Sequence, residues 1–156
     1  MKKAIHIFDF DGTLIDSSHR YRINDSGKID LTYWMANEHK ADRDSALPLV
    51  ADFRALASDP QCYVIIATAR VWCPRADEVC KRYNIVPHKL VSRNGRDDSR
   101  GGAQLKLAAI KPLLNLKQFS NVERVHVYED NIAYLKNMCD ILPNSIGHYI
   151  PSKQGH

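Results

Sequence analysis

Apolar residues in this chain fall into short dense runs, and between the runs they recur at helical spacing. Residues 4–13, AIHIFDFDGT, carry Ile5, Ile7, Phe8 and Phe10 as β-branched and aromatic bulk, which predicts a strand covered on both faces that opens into a glycine turn at Gly12. Residues 62–67 (CYVIIA) predict a second buried strand, 89–92 a weaker third, 125–128 a fourth and 145–150 a last one. From Ser45, Leu49, Phe53 and Leu56 recur at helical spacing until Ser58-Asp59-Pro60 stops the pattern. Pro74 starts a helix with Ala76, Val79, Cys80 and Tyr83 on one face. Leu105, Ala108, Ala109 and Leu113 form a stripe over 104–114 that Pro112 bends or ends, and a further helix covers about 132–139. Strands alternating with helices predict an α/β fold with a parallel sheet covered on both faces.

Residues 14–44 break this rhythm. Polar stretches (SSHRYR, NDSGK, NEHKADRD) flank the more apolar LTYWMA, which predicts a small insertion or reduced cap with at least a helical turn near 31–36, beside the end of the first strand. It is too short for a large lid domain. The 156 residues, 44% hydrophobic and 26% charged, suit one domain over 1–156 with a real core. A net charge of +4 permits a polyanionic partner without demanding one. The Met-Lys-Lys start resembles the head of a signal peptide, but His6, Asp9 and Asp11 interrupt its apolar core, and no long apolar segment follows. A soluble, cytoplasmic protein with no membrane association is expected. Cys62, Cys73, Cys80 and Cys139 lack zinc-knuckle spacing and read as core thiols in a reducing compartment. His6, His19, His39, His88, His126, His148 and His156 have no metal-binding spacing and read as surface or strand residues.

The chemistry gathers just after strands or at a helix start, at Asp9/Asp11, Thr68, Lys106 and Glu129/Asp130. Two carboxylates one residue apart at a strand end repel, invite a cation and take different proton affinities, which suits one to attack and the other to carry protons. Asp9 as nucleophile would form an acyl-phosphate, splitting one displacement into two easier ones. Asp11 would protonate the leaving oxygen and then take a proton from water. Asp9, Asp130 and Glu129 beside a phosphate need cations, and Mg2+ with Lys106 meets that need. Lys111 competes with Lys106, which lies nearer the helix start. Thr68 would hydrogen-bond a phosphate oxygen, its competing role being a strand-end hydroxyl.

Asp9-Phe10-Asp11-Gly12-Thr13, followed in order by Thr68, Lys106 and Glu129-Asp130, resembles the haloacid dehalogenase (HAD) superfamily of phosphatases. The resemblance implies a three-layer α/β/α Rossmann-like fold, a hydrolase of phosphoric monoesters working through an aspartyl-phosphate, and Mg2+ held by Asp9, the Asp11 carbonyl, Asp130 and Glu129. The superfamily usually has two aspartates where Glu129-Asp130 stands. Within it, the chain is most similar to the phosphatase domain of phage-type polynucleotide kinase/3′-phosphatase, through DFDGT, ATAR, RNGRDDSRGGAQLK and YEDN. That similarity implies Arg70 and Arg93 as substrate-phosphate ligands beside Thr68 and Lys106, and a 3′-phosphorylated DNA or RNA end as substrate. Arg20, Arg22, Arg96 and Arg100 would extend the pocket mouth, with Tyr21, Tyr33 or Trp34 to stack on a base. Thr68-Ala69 in place of serine-glycine and the longer 14–44 insertion depart from that family. The alternatives are a 5′(3′)-nucleotidase or other small-molecule phosphatase, a phosphoryl-accepting receiver domain, and a non-catalytic nucleic-acid-binding protein. No kinase P-loop is present, and no obligate protein partner is expected.

Overall fold

In the computed structural model, which describes residues 1–153, five parallel strands form one sheet. They are β1 (Ala4–Phe8), β4 (Cys62–Val71), β5 (Lys89–Arg93), β6 (Arg124–Glu129) and β7 (Ser145–Tyr149), in the order β5-β4-β1-β6-β7. Two short strands, β2 (Ile15–Asp16) and β3 (Ser45–Ala46), pair antiparallel outside it. The helices are α1 (Leu31–Ala36), α2 (Leu49–Ser58), α3 (Pro74–Arg82), α4 (Gly102–Leu113) and α5 (Ile132–Ile141). His156 lies outside the described residues.

The period of two along β1 divides the core. Ile5 and Ile7 face Ala103, Leu105, Leu107 and Ile110 of α4 with Leu135 and Met138 of α5. Phe8 turns to the other face and packs on Val50 and Phe53 of α2 and Val79 of α3, with its ring edge-on to Phe53 at 5.1 Å between centroids. Phe8 and Phe53 are fully buried, and each contributes roughly 2–3 kcal/mol by leaving water. The sheet is therefore covered on both faces in the expected three-layer α/β/α arrangement. Helix α1 spans the predicted turn, with the Asp30 carboxylate accepting from Tyr33 N at 2.9 Å as its cap.

Several boundaries differ from the sequence expectations. Residues 45–46 are strand rather than helix, because Leu47 N bonds Leu14 O and Pro48 stands at the head of α2. Strand β4 continues beyond Ala67 through Thr68 and Arg70 to Val71. Between Ala67↔Val91 and Val71↔Arg93 its register with β5 shifts, so Thr68, Ala69 and Arg70 bulge out of regular pairing. Helix α5 runs two residues past Cys139, to Ile141.

The insertion is clamped to the body. Arg75 donates to His39 O, Arg82 to Asp42 O and the Tyr83 hydroxyl to Asp44 O, all from or just after α3. All four cysteines are free. Among the described residues, no helix is long and apolar enough to cross a membrane.

Candidate active site

Asp9 follows directly on β1, and its backbone N–H extends the ladder to Tyr128 O at 2.9 Å. Sharing the parity of Ile5 and Ile7, it meets α4. On that helix Lys106 lies three residues after Ala103 and four before Ile110, both buried, so its side chain is carried inward and is only 1% exposed. Lys106 Nζ donates to Asp9 Oδ1 at 3.0 Å and to Glu129 Oε2 at 2.6 Å. Lys111 is exposed.

Glu129 is the last residue of β6, and its other oxygen accepts from Asn131 N at 3.2 Å. The Asn131 side chain in turn caps α5 by accepting from Tyr134 N. Asp130 stands between them. Asp9, Glu129 and Asp130, all buried, can each bring one carboxylate oxygen within 4.8 Å of the others. Desolvation, followed by the charge of Asp9, raises the proton affinity of both Asp130 and Glu129 above the ordinary carboxylate range. Three buried carboxylates facing one ammonium are short of positive charge. An oxygen-ligated divalent cation such as Mg2+ fits this donor set.

Asp11 takes different partners. After the turn at Gly12 (φ +82°), the carbonyl of Phe10 accepts from Leu14 N and Ile15 N. This turns Asp11 toward Ser17, whose hydroxyl donates at 3.1 Å, and toward Arg70, whose Nη1 lies 3.2 and 3.3 Å from the two carboxylate oxygens. Arg20 Nη2 is 4.0 Å away. Burial raises the Asp11 proton affinity, opposed by Arg70 and then Arg20.

Thr68 is buried, and its Oγ1 accepts from Arg70 N at 3.3 Å, so the β4 bulge carries both residues together. Arg93 stands apart from the carboxylates. Its guanidinium donates to the carbonyls of Ala69 (2.7 Å), Asp98 (2.6 Å) and Arg100 (2.7 Å), tying the 94–101 loop to the segment that bears Arg70.

The other arginines and aromatics divide similarly. Arg20 is fully buried, bonded through two nitrogens to Asp44 (3.0 and 2.8 Å) and packed 3.9 Å over the Trp34 ring. Its Nη1, like Arg70 Nε, is buried without a hydrogen-bond partner. His19 also bonds Asp44, at 2.7 Å. Arg22 pairs with Asp30 under the Tyr33 ring, Arg100 pairs with Asp98, and Arg96 is exposed. Tyr21 is raised to about 12 by burial, by Asp130 and by Tyr134.

Some site residues escaped the sequence reading. Thr13, fully buried, donates to Asp9 Oδ2 at 3.3 Å, and its place in the first motif was the available signal. Ser17, Asp44 and Ser152 had none. A surface cavity of about 430 Å³ lies away from these carboxylates, beside Trp72, Cys80 and Leu90.

This sheet, with an acidic strand-end cluster around a buried lysine, has the fold of HAD domains. The chain belongs to the Bacteriophage T5 5′-deoxynucleotidase family, whose model matches residues 1–94. That stretch carries Asp9, Asp11, Thr68, Arg70 and Arg93, while Lys106 and Asp130 lie beyond it. A chain of the Pnkp1/Rnl/Hen1 complex shares the fold with a TM-score of 0.63 at 19% identity. The alignment covers 97% of this chain but only 47% of that one. The HAD domain of the effector protein Lem4 from Legionella pneumophila (inactive mutant) also gives a TM-score of 0.63, at 16% identity over 99% of this chain and 88% of that one. A search of curated proteins by sequence finds no significant match.

Proposed function

We propose that this protein is a Mg2+-dependent phosphatase of deoxynucleoside 5′-monophosphates that works through an aspartyl-phosphate on Asp9. The observation that carries the chemistry is the Asp9–Lys106–Glu129 contact with Asp130 alongside. Lys106 and Thr13 bond the two Asp9 oxygens and hold the carboxylate for in-line attack. An Asp9 oxygen attacks phosphorus, the bond from phosphorus to the sugar oxygen breaks, and Asp11 gives that oxygen its proton. Asp11 then takes a proton from water as the water attacks the same phosphorus. Phosphate leaves and Asp9 is restored. Thr68, Arg70 and Lys106 bind the phosphoryl oxygens, and Arg93 supports them by fixing the loop behind Arg70. Asp9, Asp130, Glu129 and the Asp11 carbonyl would hold Mg2+, which when bound would supply positive charge to the phosphoryl group.

The family match favours a deoxynucleoside monophosphate as substrate. The pairing of charges beside Asp11 supports it. A 3′-phosphorylated oligonucleotide, the alternative substrate, carries further backbone phosphates on its leaving side, yet Arg20, 4.0 Å from Asp11, is already ion-paired to Asp44. A neutral nucleoside suits that environment better. Residues 14–44 act as a reduced cap within a single domain. A cytoplasmic setting belongs to the same reading and is supported by the unpaired cysteines.

The test is phosphate release with Mg2+ from deoxynucleoside 5′-monophosphates, 3′-monophosphates, ribonucleotides, and 3′- and 5′-phosphorylated oligonucleotides. Turnover of deoxynucleoside 5′-monophosphates at least about tenfold faster than any oligonucleotide is expected, the margin one missing contact commonly gives. Equal or faster release from oligonucleotides overturns the substrate assignment. Asp9→Asn should abolish release while leaving the thermal transition in place.

A further inference from the structure

The segment after β7 returns to the site. Ile150 N donates to Glu129 O at 3.0 Å, which sets the chain beside the end of β6. Two residues on, half-buried Ser152 donates from Oγ to Asp130 Oδ2 at 2.8 Å. Lys153 Nζ then lies 3.8 Å from Asp16 of β2. Pro151, Ser152 and Lys153 thereby share with Gly12, Asp16 and Leu47 a cavity of about 270 Å³ next to the first motif.

We propose that Ser152 is a positioning residue for cation binding, fixing the rotamer of Asp130 from a segment far from every motif. The inference rests on the reading of Asp9 and Asp130 as Mg2+ ligands. Asp130 stands between β6 and α5, and its carboxylate meets Asp9 as well as Ser152. Lys106 holds Asp9 and Glu129, and Ser152 holds one oxygen of Asp130. A hydroxyl donating to Asp130 orients a carboxylate that can bring an oxygen within 4.8 Å of those of Asp9 and Glu129. Such an orienting hydrogen bond commonly changes metal affinity by about tenfold or more when removed. The hydroxyl is neutral, so it orients Asp130 without competing with the cation for its charge, as a lysine would.

The experiment is calorimetric titration of Mg2+ into the wild-type chain, Ser152→Ala and Ser152→Thr, with thermal melts in EDTA as a second measurement. The Mg2+ dissociation constant should rise about tenfold in Ser152→Ala and return to within about threefold in Ser152→Thr. The melts in EDTA should coincide for all three. Equal Mg2+ affinity in Ser152→Ala and wild type overturns the role of Ser152, as does a loss of affinity matched by a lower melting temperature in EDTA. Absence of Mg2+ binding in the wild type overturns instead the assignment of the cation to Asp9 and Asp130.

Discussion

Lys106 and Asp9 are 97 residues apart in the chain and 3.0 Å apart in space, joined by a buried ammonium–carboxylate hydrogen bond. The same ammonium reaches Glu129 at 2.6 Å, and these contacts keep Lys106 strongly protonated despite its burial. One cation thus balances parts of two strand ends at once.

Removing Lys106 should be costly for both function and fold. Lys106→Met leaves buried carboxylates uncompensated, a change that typically costs about 3–5 kcal/mol. Denaturant unfolding in EDTA should register most of that loss, and phosphate release should fall at least about a hundredfold. Lys111→Met, on an exposed position of the same helix, should change stability by less than about 0.5 kcal/mol and leave turnover intact.

Arg20 and Arg22 offer a second contrast two residues apart. Arg20→Ala strands the buried Asp44 carboxylate and removes the packing over Trp34, so a destabilisation of about 3 kcal/mol or more is expected. Arg22, paired on the surface with Asp30, should cost no more than about 1 kcal/mol as Arg22→Ala. Equal effects in chemical denaturation would reject the assignment of Arg20 to the cap interior.

Arg93 acts through three backbone carbonyls. A lysine cannot span them with the planar fork of a guanidinium. Arg93→Lys should therefore accelerate proteolysis within 94–101 and lower kcat/KM together. An unchanged digestion pattern with only KM raised would instead make Arg93 a direct substrate ligand.

Acid should weaken the fold through the histidines of β1, β6 and β7. His6 stacks on His126 at 4.5 Å between centroids, His126 Nδ1 lies 2.9 Å from His148 Nε2, and His6 Nδ1 lies 3.0 Å from the Tyr128 hydroxyl. Burial first, then the neighbouring histidines, lower His6 to about 4, with Asp59 opposing, while burial lowers His126 and His148. The folded state thus holds these rings neutral where the unfolded chain binds protons. Their contribution is intact above pH 6.5 and is lost progressively as pH falls toward 4. Urea unfolding should lose on the order of 1–2 kcal/mol between pH 7 and pH 5 from His6, allowing for solvent screening. His6→Phe should flatten that slope.

Much of the architecture was legible one stretch at a time. The run before Asp9 could only be a buried strand, since every second residue had to leave water on one face or the other. Likewise Pro74 opens α3, and the Leu105 stripe marks α4. The order of Asp9, Thr68, Lys106 and Asp130 along the chain points to phosphoryl chemistry through its resemblance to the HAD pattern. A place near the helix start and a match to the family spacing favour Lys106 over Lys111, but both lie on one helix and the sequence does not show which is buried. The angle at which α4 lies on the sheet turns one inward and the other to solvent. Similarly, Arg20, Arg22, Arg96 and Arg100 read alike in the sequence, and only the family resemblance sets Arg70 and Arg93 apart. Folding buries Arg20 against Asp44, sends Arg70 to Asp11 through the β4 bulge, and assigns Arg93 to backbone carbonyls. Partners that meet only when distant segments pack, Ser152 with Asp130 above all, leave no periodic trace, because a hydrogen bond across 22 residues imposes no pattern on the residues between.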